Sequence, residues 1–231
     1  MTYETKMKNT YKNKFKSMVK HPYFGFFVIT IIMLLVQLLR VAGVDVANQT
    51  LRAFGKTMIY IIVGLGFSIL LGFGGLASLG TAGFVGLGAY LLGYFTNNKG
   101  YSVFLIILIT IAVAIVVGTV VGFISLRIEG MYLAIITLAI AEIINEVFTN
   151  WTAFSNGIDG MIVNNRIVLF NKYVVLDPNT VFVAISLALL LMMIITFNIM
   201  KSPTGRALLA MRNSTSAAQA MGISIFKYRL L

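Results

Sequence analysis

TVFVAISLALLLMMIITFNIM, residues Thr180–Met200, is followed after one lysine by SPTGRALLAMRNSTSAAQAMG, residues Ser202–Gly222. At 1.5 Å rise per residue, the first stretch is long enough to cross a hydrocarbon core about 30 Å thick. The second is too polar to do so, yet it carries helix punctuation. Ser202-Pro203 supplies an N-cap and a proline at the first helical position. Ser216-x-x-Gln219 has the spacing of a capping box, and Gly222 is placed to close that second short helix. A span followed by two short helices on one side of a bilayer predicts a docking surface.

Composition agrees with a membrane protein. Of 231 residues, 59% are hydrophobic and 11% charged, and the mean hydropathy is +0.93. Soluble domains carry roughly 25% charged residues. The net charge of +11 does not point to nucleic acid, because the basic residues sit at the ends of apolar runs rather than in a stripe with aromatics. With no cysteine, thiolate and disulfide chemistry are excluded.

Six spans are expected, at about 23–40, 57–74, 76–96, 102–126, 131–150 and 180–200, within a transmembrane domain covering 23–200. The segment 1–22 carries Lys6, Lys8, Lys12, Lys14, Lys16 and Lys20 and reads as a basic cytoplasmic N-terminus, and 201–231 as a cytoplasmic loop. The run Tyr23–Leu39 is too long for a signal-peptide core and lacks a small-x-small cleavage site, so an uncleaved first span is expected. With the N-terminus inside, the inner segments also hold Arg127, Lys201, Arg206, Arg212, Lys227 and Arg229, twelve basic residues in all. The outer segments hold six: Arg40, Arg52, Lys56, Lys99, Arg166 and Lys172. That asymmetry predicts both termini in the cytoplasm and Trp151–Asn179 outside, as a polar loop able to form a small cap. His21 and Trp151 read as interfacial residues.

Ten of the 21 glycines fall between Gly64 and Gly93. Glycine allows close helix approach and tolerates a helix break, so this region reads either as tight packing or as a broken segment lining a polar pathway. Gly74, Gly75, Ser78 and Thr81 are the pathway candidates there. Glu142 and Glu146 lie four apart on one face of the fifth span. A carboxylate inside a span faces a cavity or a partner, so Glu142 joins the pathway candidates, with a structural hydrogen bond or an interfacial position as the alternatives, while Glu146 reads as a solvated interfacial residue. Arg127 and Glu129 flank the turn before that span, as a local ion pair or as a contact for a cytoplasmic partner. No GxxxxGK[ST], HExxH or GxSxG motif occurs, so no self-contained catalytic site and no cofactor are expected. If ATP drives transport, another subunit must hydrolyse it.

Four motifs carry a family resemblance. Gly72–Tyr90, GFGGLASLGTAGFVGLGAY, resembles the G-x-x-G-L-x-S-L-G-x-A-x-F-x-G-I-G-A-Y signature of branched-chain amino-acid ABC importer permeases of the LivM type. Leu126–Leu138, LRIEGMYLAIITL, and Ala141-Glu142-Ile143-Ile144 resemble L-R-x-x-G-x-Y-L-A-I-x-T-L and G-E-I-I, with alanine for the glycine. Ser202–Leu208 and Ala217–Ile223 resemble S-P-x-G-R-A-L and A-A-x-A-M-G-I. These matches run in order from about residue 64 to 231.

The resemblance implies an all-α integral membrane permease of about six spans, with a glycine-rich broken region and cytoplasmic coupling helices. It implies a second permease subunit, two ABC ATPase subunits, an external substrate-binding protein and a place in the bacterial plasma membrane. The cargo would be branched-chain or other hydrophobic amino acids, moved inward. In such importers an E-A-A-x-x-x-G element seats a short helix on the ATPase. Ser216, Ala217, Ala218 and Gly222 have that spacing, and Arg206 lies in the preceding motif, so these five are expected to couple to the ATPase. Ser216 stands where glutamate is frequent, Thr81 where histidine or glutamine follows S-L-G, and 155–160 matches the glycine-rich outer loop only loosely. Family members continue past the coupling loop, so a chain ending at Leu231 is expected to be a truncated product. The alternatives are a permease of the same superfamily for urea, short amides or simple sugars, a self-sufficient secondary transporter, and a non-transporting scaffold.

Overall fold

The computed structural model describes residues 22–41, 48–99, 101–125, 128, 130–163, 166–169, 172–175 and 177–230. The basic segment expected over 1–22 lies outside these residues except for Pro22, as do His21, Arg127 and Glu129. The elements run α1 (Pro22–Val41), α2 (Asn48–Phe67), a π-helix (Ser68–Phe73), α3 (Thr81–Lys99), α4 (Val103–Ser125) and α5 (Met131–Asn150). There follow α6 (Thr152–Ser155), a 3-10 turn (Gly157–Asp159), strands β1 (Arg166–Leu169) and β2 (Lys172–Val175), then α7 (Pro178–Lys201), α8 (Pro203–Asn213), α9 (Thr215–Ala220) and α10 (Ile225–Leu230). The architecture is the all-α membrane fold read from the sequence, with one small antiparallel hairpin in register Arg166↔Val175 to Leu169↔Lys172.

Among the described residues, four helical stretches are long and apolar enough to cross a membrane: Gln49–Phe73, Val103–Ile124, Met131–Asn150 and Pro178–Lys201. A shorter apolar stretch is Tyr23–Leu38. Helix α2 begins at Asn48 rather than near 57, because Arg52 and Lys56 are exposed and a helix can continue past the apolar boundary when long cations reach outward. Where a third span was expected over 76–96, helix α3 begins at Thr81, since 75–79 is non-helical, and α3 is not among those apolar stretches.

The described chain divides into two compact units, one from the chain up to Leu65 with Pro178–Asn198, the other from Gly66–Asp177 with Ile199–Leu231. In the first, Leu51 and Met58 of α2 pack with Phe182, Leu189 and Met193 of α7. Both sets follow the three-and-four spacing of one helix face. Ser186 is fully buried on that seam, and its Oγ donates to the Phe182 carbonyl (2.9 Å) and lies 3.4 Å from Met58 Sδ. Thr30 of α1 is satisfied in the same manner, donating to the Phe26 carbonyl at 2.9 Å. Hydroxyls in apolar helices thus return their hydrogen bonds to their own backbone.

In the second unit, α3 packs along α5 through small residues. A Cβ on Gly83 would stand 3.0 Å from Ala141 Cα, and one on Gly80 3.2 Å from the Thr137 carbonyl oxygen. The other side of α3 meets α4, where Gly88 faces Thr110 and Gly118 faces Phe84. Along α4, Leu108, Ile115 and Val116 are more than 60% exposed, as befits side chains turned to hydrocarbon. The end of the unit that carries α6 and the hairpin is an aromatic cap. Tyr90 packs on Phe148 (centroids 4.4 Å apart), Tyr94 on Phe154 (4.7 Å), and Trp151 on Phe154 (5.2 Å). Ser155, fully buried, donates to the Phe148 and Trp151 carbonyls and accepts from the Gly157 amide, which ties the loop to α5.

Candidate functional site

The site is built where the glycine-rich run gives up its helix. The π-helix ends with the Gly74 amide on the Ile69 carbonyl and the Leu76 amide on the Leu70 carbonyl, both 3.0 Å. Gly74 is required there, because a Cβ would lie 2.7 Å from the Leu70 oxygen. Gly75 then turns left-handed at φ +65°, a region L side chains avoid. Residues 75–79 are non-helical until the turn at Gly80 leads into α3. The Leu79 amide is caught by Thr137 Oγ1 of α5 at 2.9 Å, and that hydroxyl lies 3.0 Å from the Ala134 carbonyl, to which it donates. Ser78 Oγ is 3.5 Å from the Gly80 amide, and Thr81 opens α3, half-buried. The break read from the glycines is therefore present, and Ser78 and Thr81 belong to it.

Helices α8 and α9 pack on each other, and α8 packs on the π-helix. Ser202 Oγ accepts from the Gly205 amide and Pro203 occupies the first turn, as the sequence suggested. Gly205 is buried, and a Cβ would run into the carbonyl oxygens of Ile199 and Met200, so the sharp turn after α7 demands glycine. The cap of α9 differs from expectation. Ser214, not Ser216, is the N-cap: its backbone is extended (φ −161°, ψ 113°) and its Oγ accepts from the Ala217 amide at 3.2 Å. Ser216 sits inside α9, so the Ser216–Gln219 capping box does not form. The reason is local, since α8 runs to Asn213 and leaves Ser214 as the linking residue. At the other end the Gly222 amide bonds the Gln219 carbonyl (2.9 Å) and the Ile223 amide the Ala218 carbonyl (3.0 Å), with Gly222 at φ +81°. That pair of bonds is a Schellman closure.

Ala218 is the anchor of α9, at 2% exposure, whereas Ser216, Ala217, Gly222 and Arg206 face outward. Met221, 77% exposed, adds a large apolar side chain to that small-residue surface. On the inward side, Arg212 of α8 lies over the break. Its Nη1 donates to the Gly72 carbonyl, and its Cγ would be 2.9 Å from a Cβ on Gly75. A cleft of about 150 Å³ opens beside it, lined by Gly74, Gly75, Leu76, Gly130, Leu208 and Met211. The structure thus brings Gly74 and Gly75 against the α8–α9 pair. Glu142 is elsewhere: it is exposed on α5, about 140° around the helix from buried Thr137 at 100° per residue. Glu146 shares that open face and accepts from Asn150 Nδ2 at 2.7 Å. Among the described residues no cluster of three His, Cys, Asp or Glu offers a metal site.

Sequence reading missed Arg212, Thr137 and Ser214. A cation in the last turn of α8 was a visible signal for the first. Nothing local marked Thr137 as the partner of Leu79.

Compared with known proteins, residues 49–231 match the family model described as "Branched-chain amino acid transport system / permease component". The chain belongs to that permease family. The high-affinity branched-chain amino acid transport system permease protein LivM of Escherichia coli (strain K12) is 29% identical over 210 residues, covering 80% of this chain and 49% of that protein. LivM of Salmonella typhimurium (strain LT2) is 29% identical over 213 residues, covering 81% and 48%. The chain therefore spans about half the length of the curated relatives it matches. No solved structure matches. The permease match covers both the glycine break and the α8–α9 pair, the two parts joined in the structure through Arg212 and Gly75.

Proposed function

We propose that the chain is a transmembrane permease subunit of an ABC importer that moves branched-chain or other hydrophobic amino acids inward. ATP is hydrolysed on a partner chain. The reading places the chain in the bacterial plasma membrane with its N-terminus, α8 and α9 in the cytoplasm, as the basic-residue asymmetry favours. Its partners are a second permease subunit, two ABC ATPases and an external substrate-binding protein.

The observation that carries this reading is the seating of a doubly capped helix pair directly on the glycine break. Arg206, Ser216, Ala217, Ala218 and Gly222 then form the ATPase-facing element, with only Ala218 turned inward as its anchor. Small outward side chains permit close approach by a cleft-bearing partner. Gly74, Gly75, Ser78 and Thr81 line the pathway, where irregular backbone at membrane depth is tolerated if it borders a cavity or protein. Glu142 faces the pathway or the second permease from the open side of α5, because a carboxylate on a membrane helix requires a polar neighbour.

The test is recovery of the ATPase subunit with the membrane-extracted chain, comparing wild type with Gly222→Arg. Tenfold lower recovery with Gly222→Arg is expected, and equal recovery would remove the coupling assignment. Uptake of labelled leucine, ribose and urea by vesicles holding the assembled complex separates the cargoes. Leucine uptake that needs ATP is the expected result. Uptake driven by an ion gradient without any ATPase would show a secondary transporter instead.

A further inference from the structure

We propose that Arg212 is the positioning residue through which α8 governs the glycine break. This rests on the assignment of α8 and α9 as the ATPase-facing element. Three features meet at this one side chain. The guanidinium donates to the Gly72 carbonyl in the last turn of the π-helix. Carbonyls at a helix C-terminus lack intrahelical partners and carry the negative end of the helix dipole, so a cation supplied there is a cap. The arginine stem packs against one side of Gly75, whose left-handed backbone admits no Cβ without meeting Arg212 Cγ at 2.9 Å. The cleft beside it, lined by Leu76 and Leu208, leaves room for the two segments to slide.

The consequence is mechanical. Gly72 and Arg212 are 140 positions apart in the chain, so the cap depends on where α8 sits and not on local sequence. When α8 lies against the break, the π-helix is capped and the non-helical path from Gly75 to Leu79 is held, pinned at its far end by Thr137. When a partner pulls α8 away, both the cap and the packing against Gly75 go together. The left-handed turn is then free to rearrange. Arg212 thus converts displacement of a surface helix into release of the backbone turn that joins the π-helix to α3. An uncharged side chain of similar length would still pack against Gly75 but would not cap.

The experiment uses the assembled complex in vesicles with labelled leucine, comparing wild type, Arg212→Lys and Arg212→Met. ATPase recovery, ATP hydrolysis and leucine moved per ATP are read separately. Arg212→Met is expected to hold the ATPase and to hydrolyse ATP within twofold of wild type, with leucine moved per ATP falling at least fivefold. Arg212→Lys is expected to regain at least half of that ratio. Because the chain has no cysteine, Leu76→Cys with Leu208→Cys gives a second readout in the Arg212 background. A short thiol cross-linker is expected to join them in the nucleotide-free complex, with yield at least threefold lower after vanadate trapping. An unchanged leucine-to-ATP ratio in Arg212→Met, or a cross-link yield unmoved by trapping, would overturn the proposal. Failure of the wild-type chain to recover the ATPase would instead remove the docking assignment beneath it.

Discussion

Thr137 Oγ1 and the Leu79 amide, 58 positions apart in the chain, are joined at 2.9 Å, and this one bond holds the end of the non-helical segment just before α3 starts. Thr137 is 3% exposed, so water cannot replace the hydroxyl. Thr137→Val keeps the shape and leaves the Leu79 amide without its acceptor. Losing one hydrogen bond at this part-buried position costs about 1 kcal/mol. Thr137→Val is expected to lower the unfolding midpoint in detergent, and Thr137→Ser to stay near wild type.

Gly83 and Gly86 sit one turn apart on α3, and their surroundings predict opposite outcomes for the same substitution. A methyl on Gly83 meets Ala141 Cα at 3.0 Å, and backbone cannot swing aside. Overpacking of this kind costs about 1–3 kcal/mol. A methyl on Gly86 finds Phe148 at 3.7 Å, an ordinary contact. Gly86→Ala is therefore expected to be neutral or slightly stabilising, with a helix-propensity gain of up to about 1 kcal/mol. Thermal unfolding of the two variants side by side checks this.

The hydroxyls at 214 and 216 separate just as cleanly. Ser214 caps α9 and Ser216 faces outward within it. Ser214→Ala is expected to cost about 1 kcal/mol of local stability, the ordinary worth of an N-cap. Ser216→Ala is expected to leave the helix intact. Hydrogen exchange at the Ala217 amide reads the difference, since that amide is the one Ser214 Oγ accepts from.

Gly222 has open space where a Cβ would go, so its constraint is backbone alone, at φ +81°. Gly222→Ala is expected to cost about 1 kcal/mol through left-handed strain. Gly222→Asn should cost less, since asparagine tolerates that region. Faster exchange of the Ile223 amide, which bonds the Ala218 carbonyl in the closure, is the measurement.

Helices such as α5 and α7 were legible because apolar runs of about 20 residues end at polar punctuation, and Ser202-Pro203 marked the start of α8 unambiguously. The glycine run was legible as a break but not in its register. From Gly64 to Gly93 the residues are small or apolar throughout, and the end of the non-helical segment just before Thr81 is held by Thr137, remote in sequence. The cap of α9 was misread because Ser214-Thr215-Ser216 offers three hydroxyls in a row, and only the length of α8 selects among them. The hairpin has four-residue strands with little alternation, too short to register as period two. Arg212 looked like one of several inner cations, because its partner is a backbone carbonyl, which no side-chain pattern announces.

The closed ends of α9 bear on how the surface would meet a partner. Six residues rarely hold a helix in water, yet Ser214 fixes one terminus and Gly222 the other. A segment that orders only on contact loses several kcal/mol of its gross attraction to that ordering, and its heat-capacity change exceeds the area it covers. Here the chain entropy is already lost before any encounter. Association would show a heat-capacity change matched to the few side chains covered, Met221 foremost, and a rate set by collision and orientation rather than by folding.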